Sequence, residues 1–346
     1  MNLDTLQETA RALVAPGKGI LATDESTGTA GKRLASIGVE NTEENRRAYR
    51  ELLFTAPEVE QYVSGVILYD ETLRQAAADG TPFPKLLADR GIIPGIKVDV
   101  GTKDLAFAPG EKITEGLDGL RDRLMEYRDL GARFAKWRAV IVIDAQNGLP
   151  SEYCIHVNAH ALARYAALCQ EQDIVPIVEP EVLMDGAHDS DACFDVTKRT
   201  LNAVFEELRA QRVELSGILL KPNMVIAGEE HGKDGPAHVA EKTVACFRDT
   251  VPAEVPGIVF LSGGQTEPEA CENLNAMNQL PDHGPWELSF SYGRALQQSA
   301  LHAWGGKPQN VPAAQAAFAH RAKLASAARA GSYSVEMEKE LTHETH

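Results

Sequence analysis

The sequence predicts an α/β fold, a closed (β/α)8 TIM barrel carried by one domain. Three observations point there. Eight short apolar runs, β-branched in part and bounded by Gly, Pro or Asp, are spread along the 346 residues. Amphipathic helical stretches separate them, and no Pro/Gly/Ser linker or shift in composition divides the chain. Alternating strand and helix implies parallel strands, and eight such units suffice to close a barrel. An open doubly wound sheet is the alternative topology.

In chain order the runs are KGILATDES from Lys18, SGVILYDE from Ser64, IIPGIKVD from Ile92 and ARFAKWRAVIVI from Ala132. IVPIVEPEVL from Ile174, SGILLKPNMV from Ser216, GIVFLSGGQ from Gly257 and WELSFSYGR from Trp286 follow. Their starts lie 28 to 46 residues apart, room for one strand, one helix and some insertion. Among the helices, TEENRRAYRELLF has Thr42 as N-cap, with Asn45 where a capping box prefers Glu or Gln. EGLDGLRDRLMEYRDLG is stopped by Gly131, and VNAHALARYAALCQEQ starts at Val157. Beyond Trp304 an Ala-rich outer helix is expected, and residues 332–346 read as a polar, mobile tail of the same 1–346 domain.

Composition narrows the function classes. With 44% hydrophobic and 24% charged residues the chain folds rather than staying disordered. A formal charge of −16 argues against nucleic acid or an anionic membrane as partner, because both require a basic footprint. If phosphates are bound, positive charge has to be gathered locally against that background. No apolar run approaches a membrane span, and the N-terminus does not read as a signal peptide. Five scattered cysteines without short pair spacing read as reduced thiols, so a cytoplasmic protein is expected.

The informative residues are charges placed inside apolar runs. Residues two apart on a strand face the same way. Lys136 and Arg138, Glu179 and Glu181, and Lys97 and Asp99 are such pairs, while Asp24 and Lys221 end their runs. At the C-terminal ends of barrel strands these groups would meet at the catalytic face. A single charge at a strand end is most often solvated, but charges in five of eight runs favour a shared, mutually paired cluster. Lys221, between Leu220 and Pro222, has the desolvated setting that a nucleophilic amine requires. Ser262, Gly263 and Gly264 end the seventh run, before Thr266 as N-cap with Glu269 three residues on. Ser291, Gly293 and Arg294 end the eighth. Glycines that turn backbone N–H groups outward beside a helix N-terminus suit an anion, and these two loops are the usual phosphate site of such barrels.

The strings GILATDEST, ENTEENRRAYR, GIKVD, FAKWR, VPIVEPE, LLKPNM, FLSGGQ and SFSYGRALQ resemble, in order, the motifs of class I fructose-bisphosphate aldolases. The resemblance runs from about Leu6 to about Gly331 and implies a metal-independent (β/α)8 enzyme of glycolysis and gluconeogenesis, usually a homotetramer, with no cofactor. It implies Lys221 as the Schiff-base lysine, Glu179 as principal acid/base, Glu181 as a supporting carboxylate beside the lysine, and Asp24 and Lys136 as the rest of the catalytic group. Ser262, Gly263, Gly264, Ser291, Gly293 and Arg294 would hold the phosphate on carbon one of the sugar bisphosphate. Ser26, Arg33, Lys97 and Arg138 would lie near the other phosphate, with Thr29 standing where relatives often have Ser. Many relatives end in a tyrosine that assists proton exchange. Here the chain ends in Thr345 and His346, leaving His343 or His346 as candidate substitutes.

Two rival readings have sequence handles. His156 and His160, four apart on a helix, could begin a metal site, although no third ligand is evident. A non-catalytic sugar-phosphate-binding or scaffold protein could use the same barrel, but it would not need Lys221, Glu179, Asp24 and Lys136 together.

Overall fold

The structure, a computed structural model, describes residues 1–342. Each apolar run contributes one strand: β1 (Gly19–Thr23), β2 (Val63–Leu68), β3 (Ile93–Lys97), β4 (Phe134–Ile141), β5 (Val175–Val182), β6 (Leu219–Leu220), β7 (Gly257–Phe260) and β8 (Glu287–Tyr292). Neighbours pair in parallel and in chain order. The sheet closes where Ile20 and Leu21 pair with Ser291 and Tyr292, which excludes the open doubly wound alternative. Strand β6 is short for a chemical reason. Lys221 N–H still donates to the Val178 carbonyl at 2.8 Å, but Pro222 has no N–H to continue the ladder.

The helices are α1 (Leu3–Leu13), α2 (Thr27–Ala35), α3 (Glu43–Phe54), α4 (Asp70–Leu73), α5 (Phe83–Asp89) and α6 (Leu120–Asp129). They continue with α7 (Glu152–Glu171), α8 (Ser190–Ala210), α9 (Pro236–Thr250), α10 (Glu267–Asn278), α11 (Arg294–Trp304) and α12 (Val311–Arg329). Thr42 caps α3 by accepting from Asn45 N–H at 3.1 Å, while the Asn45 amide turns to the Glu40 carbonyl instead of closing a capping box. Thr266 and Glu269 do form a reciprocal box at α10. Helix α7 starts five residues before Val157, because the Ser151 hydroxyl accepts from Cys154 N–H. A hairpin of Thr102–Asp104 against Lys112–Thr114, outside the barrel, has no apolar run to announce it. None of the described helices is long and apolar enough to cross a membrane.

The core has two layers. Leu6, Ala10 and Leu13 of α1 plug the N-terminal end of the barrel against Ile20, Ile67, Phe134, Val175, Ile177, Leu219 and Val259. Outward residues of the same strands pack under the helices, with Trp137 stacked on Tyr165 at 5.7 Å. Because side chains alternate, stepping two residues up from this inner floor leads from Ala22 to Asp24, Phe134 to Lys136, Ile177 to Glu179 and Leu219 to Lys221. The apolar floor therefore carries the polar site directly above it. In the tail, Tyr333 is buried and donates to Glu338 at 2.8 Å. His343 and His346 lie outside the described residues.

Candidate active site

A cavity of about 740 Å³ opens at the C-terminal ends of the strands. Asp24, Ser26, Thr29, Arg33, Lys97, Lys136, Arg138, Glu179, Glu181, Lys221, Ser262, Gly263, Ser291 and Gly293 line it. Sequence reasoning singled out all of these, and the fold brings them into one wall. Lys221, Lys136 and Glu179 are almost fully buried, at 4%, 4% and 3% exposure. Burial of that kind is tolerated only by mutual pairing. Glu179 supplies it: Oε1 lies 3.3 Å from Lys221 Nζ, and Oε2 lies 3.3 Å from Lys136 Nζ. Lys136 also sits 2.6 Å from Asp24 Oδ2. One carboxylate thus bridges two amines, and a second carboxylate clamps one of them.

The clamp sets the charge states. Burial alone would raise the Asp24 carboxyl, but Lys136, with Lys221 and Lys97 behind it, outweighs that and holds it well below the ordinary carboxylate value of 3.8. Burial alone would lower Lys136, and Asp24, Glu179 and Asp99 reverse it, so the ammonium is held above its ordinary 10.5. Lys136 is therefore a fixed cation.

The other site residues sort by partner. Glu181 is joined to Arg138 rather than set against Lys221. Lys97 turns back on Asp99, 2.7 Å from Oδ1 and 2.8 Å from its carbonyl. Ser26 caps α2 with its hydroxyl 3.2 Å from that of Thr29, so two hydroxyls and a helix N-terminus face the cavity. On β8, the strand neighbouring β1, Ser291 Oγ is buried and has no hydrogen-bond partner among the described residues. A Cβ on Gly263 would fall 3.0 Å from Glu181 Oε1 and 3.1 Å from Leu261, so a side chain there would press on that wall. Gly264, at φ +72°, faces away toward Met184 and Glu229. Arg294 stands beside the wall with its side chain exposed, donating to the Gln265 carbonyl at 3.2 Å.

Sequence reasoning missed Glu25, Tyr69, Asp70, Arg74, Arg123 and Tyr127, which also line the cavity. Tyr69 and Asp70 stood in the second run with no neighbour in sequence to mark them. His156 and His160 both face Glu207 across α7 and α8, away from this wall. Among the described residues no group of three His, Cys, Asp or Glu side chains is arranged to hold a metal.

A family model described as fructose-bisphosphate aldolase class-I matches residues 5–346. A probable fructose-bisphosphate aldolase class 1 of Xanthomonas campestris pv. campestris is 58% identical over 325 residues, 93% of this chain and 96% of that one. The cytosolic fructose-bisphosphate aldolase 6 of Arabidopsis thaliana is 58% identical over 330 residues, 95% and 92% of the two chains. Among solved structures, the fructose-bisphosphate aldolase of Plasmodium falciparum, crystallised with TRAP and a small-molecule inhibitor, superposes with a TM-score of 0.94. It is 51% identical and the match covers 96% of this chain and 95% of that one.

Proposed function

The chain belongs to the class-I fructose-bisphosphate aldolase family, and on that premise we propose that Lys221 is the amine on which its sugar bisphosphate is cleaved. The observation that carries this reading is the buried Lys221 Nζ, 3.3 Å from a carboxylate whose other oxygen faces a fixed cation.

Neutral Lys221 attacks the ketone at carbon two of open-chain fructose 1,6-bisphosphate, forming a C–N bond and a carbinolamine. Glu179 protonates the departing hydroxyl, water leaves, and the iminium becomes an electron sink. The returned carboxylate takes the proton from the hydroxyl on carbon four. The bond between carbons three and four breaks, its electron pair passing into the iminium, and glyceraldehyde 3-phosphate departs. Protonation of the enamine at carbon three and addition of water release dihydroxyacetone phosphate and restore the amine. Asp24 is a poor candidate for the base, since a carboxyl held well below its ordinary value has little affinity for a proton. Its part is to fix Lys136, whose charge steadies the alkoxide on carbon four as it develops.

Ser262, Gly263, Ser291 and Gly293 bind the phosphate on carbon one, and Gly264 and Arg294 flank them from outside the cavity wall. The unpaired Ser291 hydroxyl supports this assignment. Ser26, Thr29, Lys97 and Arg138 serve the other phosphate, Arg33 stands between the two sites with Nη2 toward Gly293, and Glu181 steadies Arg138. We read the chain as one catalytic domain, a homotetramer of the cytoplasm. The cytosolic relative in Arabidopsis supports the location, and family resemblance supports the assembly.

Borohydride added with substrate should trap one covalent adduct, which peptide mass spectrometry places on Lys221, and Lys221→Ala should yield none. An adduct on any other lysine would reassign the nucleophile.

A further inference from the structure

Glu25 follows Asp24 at the end of β1, and strand alternation turns it away from the Lys136 clamp. Three other elements converge on it. Arg33 of α2 places Nη1 2.5 Å from Oε1, and Gln297 of α11 donates to the same oxygen at 3.1 Å. Arg50 of α3 stands 3.9 Å from Oε2 and donates to the Glu25 carbonyl at 2.8 Å. Gln297, itself buried, also donates to the Ala22 carbonyl at 2.7 Å, so β1 and α11 are tied at the level of the phosphate loops.

The two ends of the Arg33 fork do different work. Nη1 meets Glu25, while Nη2 lies 3.7 Å from where a Cβ on Gly293 would stand, beside the serine and glycine cradle. A guanidinium is rigid and planar, so holding one nitrogen aims the other. The long stem that carries it is not rigid, and with 28% of the side chain exposed it would sample several rotamers if unheld. Glu25 itself is anionic and would repel a phosphate at close range, but the guanidinium lies between the carboxylate and the cradle.

We propose that Glu25 is a positioning residue for phosphate recognition. It aims Arg33 at the phosphate-binding wall and ties that arginine to α3 and α11 through Arg50 and Gln297. The inference rests on the reading of the cavity as a sugar-bisphosphate site.

Steady-state kinetics of the full chain test it, with Glu25→Ala, Glu25→Asp and Glu25→Gln alone and each combined with Arg33→Ala. Glu25→Ala should raise KM for fructose 1,6-bisphosphate about five- to tenfold and leave kcat within a factor of about two. Glu25→Gln keeps the acceptor oxygen and should recover most of the loss. Glu25→Asp, one methylene shorter, should pull Arg33 back and raise KM again. Added to Arg33→Ala, none of the three should raise KM further. If Glu25→Ala does not fold because Arg50 loses a partner, the Asp and Gln variants carry the same comparison. KM increases that multiply with that of Arg33→Ala, or a loss confined to kcat, would overturn the proposal. Unchanged KM in Arg33→Ala alone would instead remove the phosphate reading of Arg33, while borohydride trapping on Lys221 reports on the catalytic reading separately.

Discussion

Lys136 is the residue on which the charge arrangement of the cavity turns. It touches Asp24 and Glu179 at once, and without it the half-buried Asp24 and the buried Glu179 would lose the cation they share. This divides labour by environment. Asp24 is pinned in its ionised form, whereas Glu179 is shared between two amines and, on the proposed mechanism, is the group that moves protons. Glu179→Gln should therefore lower kcat by about a hundredfold or more, measured under saturating substrate with little change in the circular dichroism spectrum. The pair also fixes a pH dependence. A carboxyl held below 3.8 favours the folded state fully above that value and loses its contribution only as pH falls through its lower folded value. An ammonium held above 10.5 contributes fully below that value and loses it as pH rises further. The stability difference between the protein and Asp24→Asn, from urea unfolding, should thus be flat from about pH 5 to about pH 9. A decline already near neutrality would show that the carboxyl is not held down.

Four of the strands lead from an apolar lower half that closes the barrel to a charged residue above it, at Asp24, Lys136, Glu179 and Lys221. Phe134 shows how tightly the lower half is filled. Its ring lies across Gly65 and Gly95, and a Cβ on Gly95 would come within 2.3 Å of it. Two residues higher on the same strand is Lys136, so the floor sets the height at which that amine meets Asp24 and Glu179. Gly95→Ala should destabilise the fold by about 1–3 kcal/mol, since neither a barrel ring nor strand backbone yields easily. Thermal denaturation measures the loss. If the melting temperature is unchanged, the ring has room the packing does not indicate.

Across the whole molecule, charge and burial act at long range. The chain is strongly acidic at −16, yet acidic and basic groups are nearly balanced along the cavity wall. On the proposed reading, phosphate recognition would therefore depend on placed donors, such as the Ser291 hydroxyl and individual cations, more than on a general positive field. Burial also governs the thiols. All five cysteines are free and buried. Removal from water pushes Cys154 and Cys193 up to about 11 and Cys246 and Cys271 up to about 12, with Cys169 raised as well. A disulfide reagent such as dithiobisnitrobenzoate should react with none of them rapidly in the native protein and with all five after unfolding. Fast labelling of a native thiol would contradict the packing.

The local pattern of the sequence determined the eight strands, the helices between them and the face on which each charged residue falls. All of these follow from periods of two and 3.6 residues and from capping chemistry that acts within a few positions. That was enough to bring Lys221, Glu179, Asp24 and Lys136 to one end of one barrel. Only the tertiary structure decided which carboxylate faces which cation. Glu179 and Glu181 are equivalent by alternation, yet one lies against Lys221 and the other is taken by Arg138. The same holds for Gly264 and Arg294, which share motifs with wall residues but do not line the cavity, and for Glu25, joined to a glutamine 272 positions away. The reason is physical: periodicity assigns a side chain to a face, whereas ion pairing is settled by ångström distances between strands that meet only when the barrel closes.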